Sequence, residues 1–110
     1  MSGMMFPKPE KKKHLSGSII PGNQKDICYI CGKYCRTENH HIFFGKGNRD
    51  LSDQYGLTVF LCIYCHKESK EAVHRNKDTR RMLERLGQKE FERQIGTREE
   101  FIQIFGSNYL

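Results

Sequence analysis

The sequence predicts a small α+β domain, in which a two-stranded hairpin is stapled by a four-cysteine zinc knuckle and completed by a C-terminal helical segment. Three observations lead there. Two C-x2-C pairs, Cys28/Cys31 and Cys62/Cys65, stand 30 residues apart. Two short runs rich in β-formers lie between them. After His74 the apolar spacing changes to a helical one.

Size makes a staple necessary. The chain has 110 residues, and setting aside its ends leaves roughly 80 for a core, a size at which folding often depends on a metal or on disulfides. No apolar run approaches the roughly 20 residues of a membrane span, and the opening MSGMMFPKPEKKKHLSGSIIPG lacks the apolar segment of a signal peptide. The expectation is a cytoplasmic protein with no membrane partner. In a reducing compartment, five cysteines point to metal or catalysis rather than disulfides.

Residues 1–25 carry Pro7, Pro9, Pro21 and the run Lys11-Lys12-Lys13, so they read as a flexible basic arm that either tracks phosphates or simply solubilises the chain. Residues 26–110 form the domain. CYICGKYC reads as a knuckle turn, HHIFFG as a strand, KGNRDLSDQYG as a loop and LTVFLC as the second strand. NKDTRRMLERLG is a helix capped by Asn76, with Met82, Leu83 and Leu86 on one face and Gly87 at its end. QKEFERQIG is a second short helix. TREEFIQIFG is a third, with Thr97 and Glu100 spaced as a capping box and Phe101, Ile102 and Phe105 as its buried stripe.

Each C-x2-C pair places two thiolates on one tight turn, and two such turns supply the tetrahedral sulfur set that a structural Zn²⁺ prefers. Four thiolates leave no open coordination position. Cys35 is left over, either as a spare thiol or as a replacement for one of the four.

With the cysteines so used, His66 is free for other work. The Cys62-x2-Cys65-His66 spacing also matches a haem attachment site. That attachment normally follows export and needs an axial partner, so haem is not expected. His40 and His41 start the first strand, where side chains alternate faces, so one is suited to hold a metal and the other to move a proton. The alternative is an exposed polar pair.

Lys and Arg number 19 against 13 Asp and Glu, a net charge of +6, which favours a polyanionic partner. The GKGNR loop offers close backbone approach, with Lys46, Asn48 and Arg49 as phosphate contacts, or is an ordinary solvated turn. Lys67, Arg75, Arg80 and Arg81 extend the positive charge. No base-reading helix is visible, so DNA would be held by its backbone with low sequence specificity and steep salt dependence.

C-x2-C, then HHI, then LC-x2-CH resembles the HNH family of ββα-metal nucleases. HHIFFGKGNRDLSDQYGLTVFLCIYCHKES and the later AVHRN are especially similar to phage Ref-type recombination-associated nucleases and related prophage proteins, from about Cys28 through FGSNYL. The resemblance implies a hairpin and a helical turn clasped around one divalent ion. It assigns His41 as general base, His40 and His66 as ligands of that ion, and Cys28, Cys31, Cys62 and Cys65 as structural zinc ligands. His74 is either a further ligand or a capping residue. The implied function is metal-dependent DNA cleavage in phage recombination or DNA processing, with recombinase-coated DNA as a possible substrate form. Mg²⁺ or Mn²⁺ would be the catalytic ion, and a histidine-rich site also suits Zn²⁺ or Ni²⁺. The sequence departs from the family at its middle Asn, where Gly56-Leu57-Thr58 stand, with Asn48 and Asp53 upstream. That departure keeps a second expectation, a non-catalytic zinc-stabilised module that binds DNA or a recombination protein.

Overall fold

The computed structural model describes residues 17–45 and 47–110. In chain order its elements are β1 (Glu38–His41), α1 (Asn48–Tyr55), β2 (Thr58–Leu61), a π-helical turn (Tyr64–Glu68), α2 (Lys77–Gln94) and α3 (Arg98–Phe105). Residues 1–16 of the expected arm, and Lys46, lie outside the described residues.

The first strand, expected over HHIFFG, runs instead over Glu38–His41, so His40 and His41 end it and do not start it. β1 and β2 pair antiparallel, with Glu38 opposite Leu61, His40 opposite Val59 and His41 opposite Thr58. A lone pair of strands is marginal in water, and neighbouring segments support this one on both sides. Ser52 of α1, fully buried, donates to the Phe43 carbonyl at 2.7 Å and accepts from the Phe43 amide at 3.0 Å. The β2 edge that β1 leaves free is covered by residues 18–29. Ser18 Oγ donates to the Thr58 carbonyl at 2.6 Å, the Phe60 amide donates to Asn23 Oδ1 at 2.8 Å, and the Tyr29 amide donates to the Phe60 carbonyl at 2.8 Å. Residues 18–24, expected to belong to a flexible arm, are therefore packed against the domain, with Ile20 in its core.

The stretch expected to be a loop forms α1. Gly47 and Gly56 bracket it, both in the left-handed conformation. A Cβ at Gly56 would stand 2.6 Å from the Gly17 carbonyl oxygen, so only glycine fits there. The helix packs Leu51 and Tyr55 against the core.

The two short helices expected on either side of Gly87 are one continuous helix, α2. Gly87 is a spacer, not a stop. A Cβ there would lie 2.9 Å from Phe43 Cε2 and 3.1 Å from Ile42 Cγ2, so the missing side chain lets the strand exit press against the helix. Asn76 caps α2 by accepting from the Thr79 amide at 3.0 Å. Met82, expected on the buried face, is exposed, while Leu83 is buried and Leu86 partly so.

α3 opens with the expected capping box of Thr97 and Glu100. Phe101 and Phe105 are buried, but Ile102 faces solvent and Ile104 packs in its place. Phe43, Phe91, Phe101 and Phe105 form the aromatic heart of the core, with Phe43 and Phe101 centroids 5.3 Å apart and Phe101 and Phe105 4.7 Å apart. Buried Gln88 donates to Glu92 and Asn108 and accepts from the Tyr109 amide, which sets Tyr109 against Phe43. This packed mass stands directly behind the residues that follow His40 and His41. Among the described residues, no helix is long and apolar enough to cross a membrane.

Candidate metal centres and active site

The first C-x2-C pair sits on a turn closed by the Gly32 amide donating to the Cys28 carbonyl at 2.8 Å and the Cys28 amide donating to the Lys33 carbonyl at 3.0 Å. The second pair spans the end of β2 and the π-helical turn, where the His66 amide donates to the Cys62 carbonyl at 2.9 Å. Together they bring the four Cys28, Cys31, Cys62 and Cys65 sulfurs within 4.8 Å of one another. Cys31 Sγ and Cys62 Sγ are 3.8 Å apart. Tetrahedral thiolates about 2.3 Å from a zinc ion stand about 3.8 Å apart, so this spacing fits.

Burial works to raise the Cys28 thiol, yet amide donation from Cys31 and nearby backbone holds it down to about 6. Burial and the facing sulfurs push Cys65 up. Cys28 forms a thiolate readily, whereas Cys65 resists unless a cation shares the compartment. These cysteines could hold a structural metal such as zinc. Cys35 is not in the group, and its thiol donates to the Lys33 carbonyl at 3.6 Å.

A second donor set gathers on the other side of the π-helical turn. His40 from β1, His66 from the turn and His74 from the approach to α2 bring one ring nitrogen each within 4.8 Å. Strand alternation turns His40 inward and leaves His41 half-buried at the surface. His40 is almost fully buried, and its Nε2 is the one buried side-chain polar atom without a hydrogen-bond partner among the described residues. Burial, with His66 and His74 close by, pushes its pKa down to about 3. The ring is therefore neutral, with one nitrogen protonated and the other carrying the lone pair that metal ligation requires.

His66 Nδ1 lies 2.7 Å from Glu38 Oε1. A hydrogen bond from His66, opposed by some desolvation, keeps the Glu38 carboxyl below its usual range. An ionised carboxylate only accepts, so Nδ1 carries the proton and Nε2 presents its lone pair. That Nε2 faces His74 Nε2 at 3.1 Å. Two imidazole nitrogens sharing a tetrahedral ion at about 2.0–2.1 Å stand about 3.3–3.4 Å apart. Burial foremost, with His66 next, lowers His74 as well. An orphaned buried nitrogen, a carboxylate-oriented imidazole and a close nitrogen pair are a donor set that fits a divalent cation.

His41 Nε2 lies 3.0 Å from Asp53 Oδ1 of α1. With Asp53 accepting from Nε2, the neutral ring would present its lone pair at Nδ1. An open pocket of about 200 Å³ is lined by Asn39, His40, His41, Phe44, Arg49, His66, Lys67 and His74. Of the sequence-derived site residues, His40, His41, His66, His74, Arg49 and Lys67 thus meet in one place. Lys67 Nζ is 3.8 Å from Glu38 Oε1. Asn48 does not line the pocket, and its side-chain amide donates to the Phe105 carbonyl at 3.3 Å, tying α1 to α3. This differs from the expected phosphate contact. Sequence reading missed Glu38 and Phe44, and noted Asp53 only as lying upstream of the place of the family's Asn. Glu38 was detectable as a carboxylate two residues before His40, hence on the same strand face.

No protein-family model matches the chain, and neither a curated protein nor a solved structure matches it.

Proposed function

We propose that the chain is a metal-dependent DNA endonuclease of the ββα-metal kind. One observation carries this reading. His41, its tautomer set by Asp53, opens into the same pocket as the three convergent imidazoles.

In the proposed reaction His41 Nδ1 takes a proton from water as the water oxygen attacks phosphorus. The P–O bond to the leaving oxygen breaks, and that oxygen collects a proton from solvent. Asp53 accepts from His41 Nε2 throughout, and so stabilises the imidazolium that forms. Arg49 and Lys67 at the pocket wall meet the DNA backbone. A divalent ion held by His40, His66 and His74 would supply positive charge to the phosphate and the leaving oxygen. Glu38 fixes His66 for that ligation.

The test incubates wild type and His41→Ala with single-stranded and supercoiled DNA in Mn²⁺ or Mg²⁺, with a chelator control. The expected result is cleavage by wild type, slowed by roughly 10²–10⁴-fold in the variant, the usual worth of a positioned general base. Equal cleavage by both would sink the assignment of His41.

A second reading is favoured by one feature. The middle Asn of the resembled family has no counterpart here, where Gly56-Leu57-Thr58 stand instead. The chain would then be a non-catalytic DNA-binding module. Metal-saturated protein that binds DNA but cleaves none of its forms would support that reading.

A further inference from the structure

Phe43 and Phe44 are adjacent and have opposite fates. Phe43 is buried in the aromatic core, whereas Phe44 is 37% exposed and lines the histidine pocket. Alternation along the strand exit explains the divergence. Gly45 follows in the left-handed conformation and turns the chain away, which leaves Phe44 at the pocket rim.

The ring packs against two of the pocket imidazoles. Its centroid is 6.0 Å from that of His40, at 69°, and 5.4 Å from that of His74, at 50°. Arg49 and Lys67 line the same pocket. The wall therefore combines cationic groups for an anion with a flat apolar surface beside them. A bare phosphate would leave the aromatic surface unused, while a nucleotide uses both parts.

We infer that Phe44 is a stacking platform for an unpaired nucleobase next to the phosphate in this pocket, so the preferred ligand is DNA with unstacked bases there. The inference rests on the pocket being a DNA site, as proposed above. Inside a duplex each base face is covered by its neighbours, and only a single strand, gap or loop can offer one to a side chain.

The test measures binding, so that it does not depend on cleavage. Full-length protein in the His41→Ala background, with Mn²⁺ present, is titrated by fluorescence anisotropy. The probes are a labelled single-stranded oligodeoxynucleotide, its duplex, and the same strand bearing consecutive abasic sites. The single strand is expected to bind more tightly than either of the others. Phe44→Ala and Phe44→Leu should each weaken single-strand binding by about 5- to 150-fold, corresponding to the roughly 1–3 kcal/mol of one base–aromatic stack. They should leave duplex and abasic binding unchanged. Phe44→Tyr, which keeps the π face, should bind as the parent does. Phe44→Leu keeps apolar cover over the imidazoles, so parental binding by Phe44→Leu would overturn the inference, as would a duplex bound as tightly as the single strand. Binding that follows this pattern without cleavage by the His41-containing protein would defeat the nuclease reading alone. Cleavage that depends on His41 but is indifferent to Phe44 would defeat only the stacking role.

Discussion

Cys65 and His66 are consecutive, yet each belongs to a different donor set. Cys65 joins three other thiols that tie the knuckle to the end of β2, and His66 joins two imidazoles at the wall of an open pocket. The π-helical turn sends the neighbouring side chains to different sides. The sulfur set has four donors, which close a tetrahedral site. The nitrogen set has three, with the pocket on its remaining side. Donor number separates a closed set from one open to the pocket, and hydrogen bonding separates them further. Backbone amides support the sulfurs, while the side-chain carboxylate of Glu38 orients His66.

The sharpest way to break this contrast is to remove each set in turn. Cys62→Ser, or stripping metal from the wild type, is expected to unfold the domain, because structural zinc in small domains contributes on the order of 10–16 kcal/mol against a typical stability of about 5–15. His66→Ala should stay folded and lose only the pocket metal. Circular dichroism with metal counting reads both, and a folded zinc-free chain would erase the distinction.

Smaller in effect is the loss of the orienting carboxylate. Glu38→Ala should weaken metal binding at the histidine set by roughly 10–100-fold, the usual cost of removing such a partner. Competition titration of the zinc-loaded protein measures it. Unchanged affinity would mean that the imidazoles need no orientation from Glu38.

The mildest distinction lies in pH. Burial holds folded His40 at about 3, against an ordinary value of 6.5. Below the ordinary value the unfolded chain takes up a proton that the folded chain refuses. The associated stability is therefore present above about pH 6.5 and is lost as pH falls toward the folded value, at up to about 1.4 kcal/mol per pH unit. Urea denaturation at about pH 7 and about pH 5 should show a steeper loss for the wild type than for His40→Gln. Equal slopes would show that His40 is not held neutral by the fold.

Both donor sets could be anticipated from spacing, since C-x2-C pairs and a histidine after the last cysteine are local patterns. That a hairpin forms, and that Asn76 and Thr97 cap helices, was legible for the same reason, although the first strand lies two residues earlier than HHIFFG. What stayed hidden depends on contacts distant in sequence. α1 is polar along most of its length and reveals itself only through Ser52, Leu51 and Tyr55 meeting the core. Gly87 looks like a helix stop until Phe43 is found pressed against it. Glu38 gains its role only when the π-helical turn carries His66 beside it. Met82 and Ile102 were placed on the wrong face because helical spacing gives the width of an apolar stripe more reliably than its centre.

The double hydrogen bond between Ser52 and the Phe43 backbone has a consequence for how this hairpin tolerates change in length. A slip of one residue along β1 would exchange the faces of His40 and His41, putting His41 among the other imidazoles and His40 beside Asp53. Because Ser52 anchors the strand exit, an inserted or deleted residue between Thr37 and Phe43 could not be absorbed downstream. The reading frame of the strand is indivisible. Length variation must instead be taken up on the far side of Gly45 or ahead of the knuckle.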